Sequence, residues 1–399
     1  MAKACPTPQP FRAVAGTVVY LTLLFFLTFL SRLIFSPLIP SISEDINLTS
    51  GEVGSIFFIG SFGVIAGSIS AGMVSSRLNH RRTIILSLFG MTAVLGAVSL
   101  ANSIWALRGA MIALAFFAGL HLPSSLATIT ATVREQDWPR ALSIQQLGPP
   151  LGLVGAPLVT VVLSYWFSWR TTFLWVGGLV LVFDLGFLLF FGGIGAFPGD
   201  PPSPTFLRPL ARTRSFWLMI FLFALGMGAQ VGVYTMLPLY LTEERGMTLS
   251  SANTLLGLAN IPPLVMVFIA GYVTSRIGPK RTMTLFLFLT GIAAIFVGSL
   301  SGTALKVAIF FMPAFAVCFF PPAFAALSRI VQPTMRSLAA ALGPSTAFII
   351  GGGLLPQGLG FMGQAYSFSL GIIITGIVIA VGSSAALFVH LLEELEPGC

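Results

Sequence analysis

Charge is scarce in this sequence. Only 8% of its 399 residues are Asp, Glu, Lys or Arg, against about a quarter in an ordinary soluble domain, so a water-soluble fold of this length could not cover itself. Acids are the scarcer sign: 12 Asp and Glu stand against 20 Lys and Arg, a net charge of +8. Cysteine is nearly missing, and Cys5, Cys318 and Cys399 are too scattered for a disulfide framework or a metal cluster. The three histidines, His80, His121 and His390, are equally dispersed. No phosphate loop, nucleophile elbow or zinc spacing occurs, so nothing indicates an enzyme, a cofactor or a bound metal. What is plentiful is apolar bulk: 56% hydrophobic residues, 36 Phe, 42 Gly and a mean hydropathy of +0.96. That composition belongs in a bilayer.

A helix crossing hydrocarbon needs about 20 mostly apolar residues. Twelve runs qualify, near 14–39, 52–74, 83–101, 105–131, 141–165, 171–193, 215–240, 251–274, 282–300, 305–328, 338–360 and 367–390. Most connections are a handful of residues. The exception, Gly192 to Arg214, carries Pro198, Pro201, Pro202, Pro204 and Pro209 and reads as a basic linker between two bundles. The expectation is an all-α membrane protein with a six-helix bundle over 1–193, a cytoplasmic linker over 194–214, a second six-helix bundle over 215–399 and no extramembrane domain. The apolar run behind Lys3 and Arg12 is too long for a cleaved signal peptide.

Cations fix orientation. With the N-terminus cytoplasmic, that side receives Lys3, Arg12, Arg77, Arg81, Arg82, Arg134, Arg140, Arg208, Arg212, Arg214, Arg276, Lys280, Arg281, Arg329 and Arg336, fifteen of the 20. Arg108, Arg170, Arg245 and Lys306 fall outside, and Arg32 lies within the first helix. Both termini are therefore expected in the cytoplasm, along with the acidic tail Glu393, Glu394 and Glu396. The excess of positive charge records membrane insertion, and nucleic acid is excluded as a partner; the partners expected are the lipid bilayer and a small solute.

The segment Gly72-Met-Val-Ser-Ser-Arg-Leu-Asn-His-Arg-Arg-Thr83 recurs as Gly271-Tyr-Val-Thr-Ser-Arg-Ile-Gly-Pro-Lys-Arg-Thr282, each between the second and third run of its half. Pro40 with Glu44-Asp45 answers Pro238 with Glu243-Glu244, and Pro123 answers Pro322. Two six-helix halves with a site between them near midplane is the plan of a transporter built from repeats. The repeated segment resembles the signature of the major facilitator superfamily: Gly, three residues, Asp, basic, any, Gly, any, basic, basic. Gly72, Arg77, Arg81 and Arg82 match; Ser76 replaces the Asp and Asn79 the Gly, while the second copy has Ser275 and restores Gly278. The opening of helix 6, Trp169-Arg170 with Phe173, is also common in that family. The resemblance implies a monomeric bacterial inner-membrane transporter whose helices 1, 4, 7 and 10 line the cavity while 3, 6, 9 and 12 lie outside.

Cations at a tight turn can meet the partial negative charge of helix C-termini or acids such as Glu135 and Asp137. On that ground Arg77, Arg81, Arg82, Arg276 and Arg281 are cytoplasmic gate candidates, the bland alternative being that they only enforce topology. Ionisable groups inside a span mark a site or a relay, and there are three. Arg32 is on one stripe of helix 1 with Thr28 and Ser36, and its fork suits a carboxylate or phosphate; otherwise it is a structural cation satisfied by carbonyls or an acid nearby. The pattern Arg32-Leu-Ile-Phe-Ser36 resembles that of organic-anion members of the superfamily, which usually have Asp where this chain has Ser31. His121, with Ser125 and Thr128, either takes a proton near neutral pH, bonds substrate or simply packs. Asp184 in helix 6 is a structural hydrogen-bonding group or a proton relay. Gln145, Gln230, Tyr234, Asn260 and Gln357 complete the polar lining, against the alternative of interhelical hydrogen bonds. The clusters Gly148-Gly152-Gly155 and Gly351-Gly352-Gly353 read as close helix packing.

These residues point to a secondary active transporter moving a small, monocarboxylate-like organic anion by alternating access, with proton symport as the simplest coupling. The alternative is a multidrug or metabolite efflux antiporter, whose chemistry wants a carboxylate that helices 1, 4, 5 and 7 lack.

Overall fold

The computed structural model describes residues 8–199, 207–331 and 336–390. Lys3, Cys5, Cys399, Pro201, Pro202, Pro204, Glu393, Glu394 and Glu396 lie outside the described residues. Among those described, eleven helices are long and apolar enough to cross a membrane: Phe11–Ile46, Ser50–Leu78, His80–Val98, Ile104–Thr132, Arg140–Ser164, Trp169–Phe190, Arg214–Glu244, Leu249–Ile277, Pro279–Ser299, Gly302–Arg329 and Phe368–Phe388. These are helices 1 to 10 and helix 12. Helix 11 runs without a gap through Arg336–Phe348, Ile349–Leu354 and Leu355–Ala365, where the sequence places its eleventh run. The all-helical membrane fold expected from composition is the one observed.

Proline decides where these helices loosen. It lacks an N–H, so the carbonyl four residues earlier loses its partner. Helix 1 breaks at Ile34, next to the Leu33 carbonyl that Pro37 leaves unmatched. Helix 5 breaks at Gln146-Leu147, before Pro149-Pro150. Helix 8 breaks after Ala259, where Pro263 stands four residues on, and helix 10 breaks at Phe319, before Pro321-Pro322. Helices 7 and 11 are instead widened by π turns at Gly228–Val233 and Ile349–Leu354. The two meet closely there: a Cβ on Gly351 would sit 2.7 Å from the Gly228 amide nitrogen.

The chain forms two compact units. One comprises Met1–Leu48, Ile59–Pro202 and Leu249–Gly257; the other comprises Thr49–Phe58, Ser203–Thr248 and Leu258–Cys399. Each unit therefore contains one short piece from the opposite half of the sequence.

The repeat reaches well beyond the twelve-residue segment. Ser168 caps helix 6 by accepting from the Thr171 amide, and Ser367, at the corresponding place, caps helix 12 by accepting from Leu370. Asp45, at the end of helix 1, pairs with Arg170 and accepts from the Trp169 indole at 3.3 Å. Glu244, at the end of helix 7, accepts from the Phe368 amide at 2.6 Å and from the Ser369 amide and hydroxyl. In each half one carboxylate holds the start of the sixth helix, by a guanidinium in the first and by a helix N-terminus in the second.

The two signature turns share one backbone conformation although their residues differ. Asn79 has φ 75°, ψ 163° and Gly278 has φ 81°, ψ 162°, a region otherwise almost reserved for glycine. Asn79 holds it while its side chain accepts from the Arg82 amide at 2.9 Å. Asn47 and Gly246, at the same offset, also both have positive φ, 59° and 63°. Replacing Asn79 with Gly relieves strain of about 1–3 kcal/mol and gives up only a few tenths of a kcal/mol of capping. Asn79→Gly should therefore raise the melting temperature of the purified protein, and Asn79→Ala should lower it.

Candidate functional site

The candidate site is built on helix 1. Residues 25, 29, 32 and 36 recur at helical spacing and share one face. Phe25 is buried, Phe29 and Arg32 are half-buried, and Ser36 is fully buried. Their rings and charge form a ladder: the Arg32 guanidinium carbon stands 6.0 Å from the Phe29 ring centre, Phe29 meets Phe25 edge-on at 5.1 Å, and Phe25 stacks on His121 at 6.1 Å. Arg32 thus belongs to the interior face of its helix. Thr28, also buried, gives its hydroxyl to the Leu24 carbonyl of its own helix at 3.0 Å.

Helices 3, 4 and 5 supply the far end of the ladder. His121, Ser124, Ser125 and Thr128 lie on one face of helix 4, all fully buried. Ser87 of helix 3 donates to the Ile84 carbonyl at 2.7 Å and lies 3.2 Å from His121 Nδ1. Gln145 stands in the last turn before the proline-induced break in helix 5, and its Nε2 donates to Ser125 Oγ at 2.7 Å. The helix-5 glycines let that helix approach: a Cβ on Gly152 would lie 2.9 Å from Phe29 Cβ. Three buried polar atoms of this cluster, His121 Nε2, Ser124 Oγ and Gln145 Oε1, have no hydrogen-bond partner among the described residues. A buried polar atom left so costs about 1–3 kcal/mol.

Asp184 turns inward although its helix was expected at the periphery. It is 2% exposed and shares a buried face with Val180 and Phe187. Its Oδ1 has no hydrogen-bond partner among the described residues. Tyr20 of helix 1, within electrostatic reach of that carboxylate, donates to the neighbouring Phe183 carbonyl at 2.7 Å.

In the other unit, Gln230 and Tyr234 straddle the end of the first π turn of helix 7, Gln230 half-buried and Tyr234 buried. Asn260 lies in the break of helix 8 and is buried. Gln357 is drawn elsewhere: its Nε2 donates to the Gly51 carbonyl at 3.2 Å, beside the Ser50 hydroxyl that bonds Glu243. It joins helix 11 to the start of helix 2 rather than the ladder.

The basic turns divide the labour of their arginines. Arg81 reaches the C-terminus of helix 6, donating to the Leu188 carbonyl at 2.7 Å and to Phe191 at 3.2 Å. The segment after helix 6 then folds back on the same turn, where the amides of His80 and Arg81 donate to the Phe197 and Gly195 carbonyls. Arg77, Arg82, Arg276 and Arg281 are exposed, with Arg276 stacked over Tyr272 at 5.4 Å. Asp137 is engaged by the Phe11 amide at 3.0 Å, so it caps helix 1.

A twelve-span chain with this repeat and these basic turns matches the model of the Major Facilitator Superfamily over residues 21–262 and 216–398. The chain belongs to the Major Facilitator Superfamily. It is a multi-pass membrane transporter, not an enzyme. It is 25% identical to the "Probable sulfoacetate transporter SauU" of Cupriavidus necator, covering 94% of this chain and 93% of that one. It is also 25% identical to the 3-(3-hydroxy-phenyl)propionate transporter of Escherichia coli, covering 85% and 87% respectively. The crystal structure of a bacterial homologue of the human lysosomal transporter Spinster superposes with a TM-score of 0.82 at 17% identity over 96% of this chain and 97% of that one, which fixes the fold alone.

Within this superfamily fold Arg81 and Arg77 should behave differently. Arg81→Ala removes two charge-assisted bonds to helix-end carbonyls and should destabilise the purified protein by about 1–2 kcal/mol. Arg77→Ala, at an exposed site, should leave the unfolding midpoint within about 0.5 kcal/mol of wild type.

Proposed function

We propose that this superfamily member moves a small organic anion across a bacterial inner membrane by alternating access, as a monomer with both termini cytoplasmic. The observation that carries the reading is the placement of Arg32: a permanent cation on the interior face of helix 1, beside aromatic rings and a polar cluster. A guanidinium there gives its surroundings a positive field and a planar fork for a carboxylate or sulfonate. The names of two relatives agree, since sulfoacetate and 3-(3-hydroxyphenyl)propionate are both organic anions. Cargo neutralises Arg32 and lowers the cost of carrying that charge through the occluded state.

Coupling to a proton follows from Asp184. Asp184 is a carboxyl group inside the span with one oxygen that has no hydrogen-bond partner among the described residues, and in this reading it gives up and regains a proton as its surroundings open to water. His121 is the other coupling candidate within the spans of this half. The exposed arginines of the two signature turns, Arg77, Arg82, Arg276 and Arg281, serve as gate contacts that form in one state and release in the other, with Arg81 anchoring the turn.

Arg32→Ala should abolish anion uptake into cells or proteoliposomes while membrane levels stay at wild type; uptake retained by that variant excludes the assigned role. Asp184→Asn should still exchange labelled for unlabelled anion but lose accumulation driven by an inward acid gradient. The same split in His121→Asn, with Asp184→Asn behaving as wild type, would move the coupling to helix 4.

A further inference from the structure

The two signature turns share a backbone conformation but not an environment. At the first, Arg81 spends its guanidinium on the Leu188 and Phe191 carbonyls. The segment after helix 6 lies over that turn: Gly195 and Phe197 accept from its amides, and the Phe197 ring centre stands 4.8 Å from that of His80. The second turn has no such cover among the described residues. The segment after helix 12 goes instead to the start of helix 7, where the backbone of His390 bonds the Ser215 hydroxyl. Arg276 stacks on Tyr272, and the side chains of Arg276, Lys280 and Arg281 find no carbonyl or carboxylate among the described residues.

The charge around this turn is of one sign. Successive spans alternate in direction, so the start of helix 7, the turn between helices 8 and 9 and the end of helix 10 share one end of the second unit. That end exposes Arg214, Arg276, Arg281 and Arg329, with Lys280 half-buried. The acids described in this unit, Glu52, Glu243 and Glu244, stand at the other end, held by Thr49, Ser50 and the opening of helix 12. The corresponding end of the first unit carries acids of its own, Glu135 and Asp137. From Arg281 an apolar stripe then runs along helix 9. Leu285, Phe288 and Phe296 follow at helical spacing and are exposed, while Met283, Phe286 and Leu287 on the other face are buried.

A soluble anion would use the cations alone, and a neutral lipid the stripe alone. An anionic phospholipid uses both, and each cation near such a headgroup adds measurably to its attraction. We infer that the turn between helices 8 and 9 is a docking site for an anionic phospholipid. Its phosphate meets Arg276, Lys280 and Arg281, and its acyl chains lie along Leu285, Phe288 and Phe296. The inference holds whatever the cargo. Where Arg276 and Arg281 also serve the gate, the lipid occupies them while the gate contact is released.

The test uses purified full-length protein in neutral detergent, with apparent dissociation constants taken from melting shifts against added lipid. Phosphatidylglycerol should raise the midpoint, phosphatidylcholine with the same acyl chains should raise it far less, and inorganic phosphate should not raise it. The double variant Arg276→Gln/Arg281→Gln should bind phosphatidylglycerol roughly thirtyfold more weakly, about fivefold for each cation removed. The matched variant of the first turn, Arg77→Gln/Arg82→Gln, should stay within about twofold of wild type. Equal shifts from the two lipids, or equal losses in the two variants, overturn the inference, because surface charge then acts without a site. A shift produced by inorganic phosphate alone overturns it in favour of a soluble anion. A second-turn variant that melts lower without lipid, in a protein that phosphatidylglycerol does not stabilise, overturns it in favour of the chain's own Glu393, Glu394 and Glu396.

Discussion

In hydrocarbon, a polar group that finds no partner inside the protein finds none at all. This single constraint organises the molecule. It explains why the breaks in helices 1, 5, 8 and 10 fall beside carbonyls that proline strips of their amides, and why carboxylates and a guanidinium stand at helix ends. Arg81 accordingly spends its fork on the last carbonyls of helix 6, and Asp137 on the first amide of helix 1. Glu244 serves the opening amides of helix 12. Among the described residues, several buried polar atoms are left without such a partner, and three of them, on His121, Ser124 and Gln145, lie together at the far end of the aromatic ladder that begins at Arg32.

The two halves obey one plan and diverge in its chemistry. The sixth helix of each is held by an acid from the end of the first, yet the partner is Arg170 in one half and backbone amides with Ser369 in the other. The signature turn keeps its left-handed residue while exchanging Asn79 for Gly278. Such exchanges conserve an electrostatic or conformational requirement while altering the residue that meets it. The face of helix 1 that carries Arg32 has no such echo in helix 7, where a π turn presents Gln230 and Tyr234 instead. The two helices are thus unequal, helix 1 carrying a cation on that face and helix 7 only neutral polar groups.

Much of this was legible in the sequence because its signals are of long range and high contrast. Twenty-residue apolar runs, a basic linker and a repeated turn fix spans and family without reference to packing. Arg32 was legible for the same reason, since a charge amid Leu, Ile and Phe has few explanations. Asp184 was half legible: its presence is plain, but the inward turn of a supposedly peripheral helix depends on which face meets helices 1 and 3. The π turns of helices 7 and 11 were not legible, because no composition marks a one-residue widening. Nor was the fate of Gln357, whose bond to Gly51 joins groups some three hundred residues apart. The conformational equivalence of Asn79 and Gly278 was hidden by reading the asparagine as a departure from the motif, when its capping side chain and tolerance of positive φ preserve it.

The central claim is that a fixed guanidinium selects cargo by negative charge. The most direct measurement compares uptake of one carboxylate with that of its uncharged primary amide by wild-type protein in proteoliposomes, under an inward acid gradient. The account predicts that the carboxylate accumulates and the amide does not compete with it. Equal uptake of the two, or competition by the amide at comparable concentration, would contradict it.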